Sequence, residues 1–164
     1  MHPPDGPAWL VWLESTALAA AMRQWLWLYP AVEIVHILGL AVLVGAAVLF
    51  DLRLLGFSRS ISVRALAGHL LPWARFSLLV IVPSGILMFM AHATEMADNP
   101  AFRVKLLLLA AAGINATVFH TRTLGTVSRW DAGVAAPAAA KIAAVLSLGL
   151  WAGVIACGRL LAYL

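Results

Sequence analysis

Four of the five histidines in this chain, His36, His69, His92 and His120, stand inside or at the edges of long apolar stretches. An imidazole in that setting can hold a metal or a haem iron, or carry a proton. Ionisable side chains at membrane depth are costly and tend to mark function. His36 is the strongest candidate. It sits about six residues inside the stretch 31–50, roughly 9 Å below the surface if that stretch is a helix. A neutral imidazole left there without a partner costs on the order of 1–3 kcal/mol. Either a ligand or a hydrogen bond must offset this, and Glu33, one turn earlier on the same face, could supply the bond.

His69 and His92 fall on one predicted helix, 23 residues apart. That is about 34 Å along the axis, against a hydrocarbon core of roughly 30 Å, so they cannot share one iron. If both are ligands there are two sites, one per side of the membrane. With the side of the termini taken as outer, His36 pairs with His92 or Lys105, and His69 with His120 at the inner side. The plainer reading of His69, His92 and His120 is as interfacial residues at helix ends. For Lys105, near the start of its stretch, it is snorkelling to the interface. Arg103 and Arg159, both outer, could hold haem propionates, since a guanidinium suits a carboxylate, or could simply anchor the surface. Ser84 and Cys157 have no base nearby in sequence, so no nucleophile is expected. A single cysteine also excludes an internal disulfide framework and a multi-cysteine metal cluster.

Four apolar stretches must position these groups: 31–50, 70–92, 102–121 and 141–163. Each is about the 20 residues that a helix needs to cross a bilayer, and lipid leaves the backbone no alternative to a helix. The third is the weakest, with its charge-free part confined to 106–119. The chain is 63% hydrophobic and 11% charged, where soluble domains carry about 25% charged residues. The expected fold is therefore all-α, an integral membrane four-helix bundle. Residues 1–28 precede the transmembrane domain 29–164. Trp9, Trp12, Trp25 and Trp27 mix there with Glu14 and Arg23, which predicts an amphipathic helix lying in the interface rather than a fifth span. The polar, proline-rich start does not read as a cleavable signal peptide.

The net charge of +4 does not point to nucleic acid, because the basic residues are scattered at helix ends without a binding module. Arg53, Arg59, Arg64, Arg122, Arg129 and Lys141 lie in loops 51–69 and 122–141, against Arg23, Arg103, Lys105 and Arg159 on the other side. That bias places both loops in the cytoplasm and both termini outside. Asp51 and Arg53 are expected to form a local salt bridge. Pro83 and Gly85 should kink the second span, with Ser84 satisfying a freed carbonyl. Gly149, Gly153 and Cys157 form a small-residue stripe for close packing within the chain or in a homo-oligomer.

The segments YPAVEIVHILGLAVLVGAAVLFDLRLLG (29–56), NPAFRVKLLLLA (99–110) and WAGVIACGRLLAYL (151–164) resemble a bacterial family of four-helix membrane proteins known chiefly as a domain of unknown function. The resemblance runs from about residue 8 onward. More distantly, the first-span histidine followed by small residues, and the lysine opening the third span, resemble HemJ-type protoporphyrinogen oxidases and CopD-like copper-resistance membrane proteins. The HemJ resemblance implies b-type haem, with those roles falling on His36 and Lys105.

The expected function is that of a membrane cytochrome b-like protein in the bacterial inner membrane. It would hold one or two haem b groups and move electrons between the quinone pool and a periplasmic partner. A four-helix bundle suits this, because its core can present ligands from facing helices. His36 is the first ligand expected, His92 or Lys105 its partner, and His69–His120 a second pair. Three rivals stand beside it. One is a HemJ-like oxidase of a porphyrin precursor. Another is a copper-handling protein, since Met88, Met90 and Met96 flank His92 and thioether with imidazole suits copper. The last is a non-enzymatic membrane anchor subunit that needs no cofactor.

Overall fold

The computed structural model describes residues 6–161 and 163. Residues 1–5 of the predicted N-terminal segment and Ala162 of the predicted fourth span lie outside them. All regular structure among the described residues is helical. Two short helices, α1 (Ala8–Ser15) and α2 (Ala17–Gln24), precede α3 (Leu28–Leu55) and α4 (Val63–Ala91). A six-residue α5 (Ala93–Asp98), then α6 (Pro100–Val118) and α7 (Ala138–Leu160), complete the set. The four long helices run up and down, and each is long and apolar enough to cross a membrane. The chain is thus a multi-pass helical membrane protein. The third span, counted through its one-turn π and 3₁₀ continuation as Pro100–Arg129, has the lowest mean hydropathy, 1.5 against 2.4 for α3.

The helices begin earlier than hydropathy alone predicts, because their ends are fixed by local chemistry. Ser62 caps α4 by accepting from Ala65 N at 3.0 Å. Asn99 caps α6 with Pro100 in its first turn, where the missing N–H is no loss. α3 ends at Gly56, whose φ of 111° lies in the left-handed region, so the terminal carbonyls are met by the Gly56 and Phe57 amides. At 28 residues, α3 is about 42 Å long, so its ends reach beyond the hydrocarbon core.

The N-terminal segment is two helices where one was expected. Ser15 Oγ bonds Trp12 O at 2.7 Å and Thr16 Oγ1 bonds Leu13 O at 2.8 Å. These hydroxyls take up the carbonyls that would carry the helix onward, and Thr16 then caps α2. Glu14 and Arg23 both bond across to the end of α4 and the start of α5. Glu14 Oε1 accepts from the amide and hydroxyl of Thr94, and Arg23 donates to Ala91 O and Glu14 O. Together they fasten α1 and α2 over the α4–α5 junction, with Leu10, Ala19 and Met22 buried beneath and all four tryptophans of the segment exposed.

α3 packs on α4 and α7, and α7 packs on α6, while α4 and α6 make no close backbone contact among the described residues. They meet through Phe89 and Phe102, stacked at 5.4 Å between ring centroids, and cavities remain elsewhere between the helices. The closest seam is Gly39 of α3 on α4, where an added Cβ would stand 2.8 Å from Ile81 Cγ1. Gly153, in the predicted stripe, faces Leu108 of α6 in the same way, whereas Gly149 faces open space.

The expected Asp51–Arg53 salt bridge does not form. Residues two apart point to different sides of a helix. Arg53, 2% exposed, turns into the loops instead, donating to the carbonyls of Ile61, Arg59 and Asp131. The Asp131 carboxylate in turn accepts from the Ser62 hydroxyl and the Arg64 amide. These bonds tie loop 51–69 to loop 122–141 at one end of the bundle. Phe50, Leu54, Val63, Phe119 and Trp130 pack there as a core cluster.

Candidate functional site

His36 is positioned from α4. Its Nδ1 lies 2.9 Å from Ser84 Oγ, and the same hydroxyl lies 2.6 Å from Val80 O. A hydroxyl has one proton, and the shorter contact takes it. Ser84 therefore accepts from His36, the imidazole carries its proton on Nδ1, and Nε2 keeps a free lone pair. The ring rests in a notch made by Gly85, where an added Cβ would approach His36 Cε1 to 3.1 Å. This differs from expectation in two respects. Glu33 is not the partner, because the imidazole turns from its own helix toward α4. The Ser84 hydroxyl also donates to Val80 O rather than to Leu79 O, the carbonyl that Pro83 leaves without an amide.

A cavity of about 850 Å³ opens beside the ring, within the roughly 300–1,000 Å³ range of ligand pockets. His36, His92 and Lys105 all line it, with Tyr29, Glu33 and Arg159. The three outer donors predicted from the sequence thus share one space. Lys105 is half-buried. Its Nζ lies against α7, 3.8 Å from where a Cβ on Gly158 would stand, so that glycine leaves room for it. His92 is exposed at the α4–α5 junction, edge-on to Tyr29 at 5.9 Å. Met88 and Met96 line the same cavity.

Arg159 borders the cavity but is exposed, lying over the Tyr163 ring and donating to its hydroxyl at 2.5 Å. Arg103 does not line it. Its guanidinium bonds Ala97 O and pairs with Asp98 at 3.2 Å on the surface, which ties α5 to α6.

His69 and His120 are not gathered into one site. His69 is exposed and lines neither this cavity nor the one at the loop end. His120 lines a second cavity at the loop end, its Nδ1 donating to Ala116 O at 2.7 Å. That second cavity, about 700 Å³, also holds Asp51, which the sequence had assigned to a salt bridge. Its one early signal was an acid inside an apolar helix. Among the described residues, no three His, Cys, Asp or Glu side chains gather closely enough to cage a metal ion unaided.

These features define a helical membrane protein with a donor-lined cavity at one end and a largely apolar cavity at the other. The chain belongs to a family of unknown function (DUF6644), matched over residues 9–164. No curated protein and no solved structure matches it.

Proposed function

We propose that the chain is a membrane-embedded b-type haem protein for electron transfer, in which the outer cavity would take the haem and His36 Nε2 would be its first protein donor. One observation carries the reading. The Ser84 hydroxyl fixes His36 in the tautomer that leaves Nε2 unprotonated, beside a cavity also lined by Lys105 and His92. Metal-ligating histidines are typically oriented in this way through their other nitrogen. The donor set suits haem better than a bare ion. An iron held in its own macrocycle needs one or two axial donors from the protein, and no protein cage of three or more acidic, histidine or cysteine ligands is gathered among the described residues. Lys105 and His92 are the candidates for the second donor, and Arg159, which borders the cavity, would exchange its bond to the Tyr163 hydroxyl for a propionate.

A bound haem supplies one-electron chemistry. The chain's own contribution is to hold the imidazole in one orientation and to surround it with apolar side chains. The electrons would pass between the quinone pool and a periplasmic partner, with the protein in the bacterial inner membrane and the basic loops cytoplasmic. The HemJ-like reading, oxidation of a porphyrin precursor, would use the same cavity. Loss of complementation in a strain lacking that oxidase separates the two.

Copper handling is a second reading, favoured by Met88 and Met96 lining the cavity with His92, since thioethers and imidazole suit Cu(I). Purified protein in mild detergent decides between them by its reduced-minus-oxidised visible spectrum. The haem reading expects a b-type alpha band that is lost in His36→Ala. A colourless protein that retains copper supports the second reading, and a colourless, metal-free protein removes both.

A further inference from the structure

The loop-end cavity lies between the same four long helices but faces the other side of the membrane. Its walls are mostly aliphatic and aromatic, including Leu43, Phe50, Leu78, Leu109 and Trp151. Seven polar side chains break that lining: Asp51, Arg75, Asn115, Thr117, His120, Thr121 and Ser147. Asp51 stands out. It is 6% exposed, and its Oδ2 is the buried side-chain atom left without a hydrogen-bond partner among the described residues. Buried polar atoms are nearly always paired, and an exception calls for an explanation. The neighbouring arginine, Arg53, is committed to loop carbonyls and gives it nothing.

The chemistry of the lining narrows what could satisfy that oxygen. Asp51 asks for a donor. Arg75, at the exposed rim of the lining, is a donor throughout and can meet an acceptor there. A lipid phosphate or fatty-acid carboxylate would meet Arg75 but oppose the carboxyl of Asp51. A lipophilic amine would do the reverse. A neutral head carrying both a donor and an acceptor, joined to an apolar tail, meets both. Asp51 lies four residues before the end of α3, about 6 Å along the axis, so the polar end of the cavity sits near the interface and the apolar remainder extends toward the bilayer centre at Leu40. That polarity matches a membrane-dissolved aromatic diol with an isoprenoid tail.

We propose that the loop-end cavity is a quinol-binding site in which Asp51 accepts a hydrogen bond from a ring hydroxyl. The binding stands independently of the outer cavity. Only a redox use of the bound quinol rests on the haem reading.

The test uses the full chain in nanodiscs, titrated anaerobically with decylubiquinol and followed by quenching of intrinsic tryptophan fluorescence, to which Trp151 in the cavity wall should contribute. Saturable binding is expected, weakened about tenfold in Asp51→Leu, as for loss of one buried hydrogen bond. Leucine has the branched outline of aspartate and removes the unpaired oxygen, and the adjoining cavity has room for its larger methyl groups, so this variant should fold. Ala47→Phe, which narrows the cavity while keeping the Asp51 carboxyl, should also abolish binding. Absence of saturable binding, as when acyl chains alone occupy the space, would overturn the proposal, and so would unchanged affinity in Asp51→Leu. The visible spectrum of the same sample judges the haem reading separately. Quinol binding without a b-type band upholds the site and removes the haem, and a band without quinol binding does the opposite.

Discussion

His36 on α3 and Ser84 on α4 are joined at 2.9 Å across the first helix seam, with the serine proton directed to Val80 O. The pair fixes which imidazole nitrogen is free. Ser84→Ala should therefore leave the bundle folded but release the ring, weakening haem retention about 10- to 100-fold. Ser84→Thr, which keeps the hydroxyl, should recover much of it. Haem content and the alpha band of purified variants read this out, and an unaltered Ser84→Ala spectrum would end the tautomer argument.

Arg53 is buried and holds three carbonyls from two loops. Hydrogen bonds to a charged group contribute about 1.5–3 kcal/mol each. Arg53→Ala should thus destabilise the protein by about 3 kcal/mol or more. Arg53→Lys should not rescue it, because an ammonium cannot reproduce the planar fork of donors. Thermal unfolding midpoints in detergent measure both. A midpoint unchanged in Arg53→Ala would show that the loops are held together by something else.

Asp131 gives the loop end a pH dependence. The Arg64 backbone amide, assisted by the Ser62 hydroxyl, holds its carboxyl below the usual carboxylate range. A depressed folded value favours the folded state above the unfolded value of about 3.9, and the contribution is lost as pH falls through the folded value. Stability should decline on acidification below about pH 4, and Asp131→Asn should flatten that part of the profile while lowering the plateau. An identical acid limb in the variant would assign the decline to other carboxylates.

Gly39 is the point of closest approach between α3 and α4, with Ile81 Cγ1 at 2.8 Å from an added Cβ. Gly39→Leu should force the helices apart and cost about 1–3 kcal/mol by overpacking. Gly149→Ala, on the predicted stripe but facing open space, should be nearly neutral. Comparable losses in the two variants, measured by denaturant titration, would contradict this assignment of the seam.

The residues differ in how far their roles could be read in advance. Trp9, Trp12, Trp25 and Trp27 were legible as an exposed belt, because amphipathic aromatics have a strong preference for the interface. Glu14 and Arg23 were not, since their partners, Thr94 and Ala91, lie some 70 to 80 positions along the chain. His36, His92 and Lys105 were legible as one outer group, because helix length and direction assign each to the same end. Arg103 and His69 were assigned to sites on the same reasoning, yet one turns to Asp98 and the other to the exterior. Depth along a helix is readable from residue count, whereas the direction around it depends on what the neighbouring helices present.

The sequence by itself determined the four spans, their alternating direction and the family to which the chain belongs. Apolar length leaves a backbone in lipid no alternative to a helix. The tertiary structure alone decided that Ser84 rather than Glu33 meets His36, that Arg53 leaves Asp51 unpaired, and that cavities remain between α4 and α6. Those outcomes depend on the rotation and register of one helix against another, set by close approaches such as Gly39 on Ile81, and no pattern along a single helix encodes them.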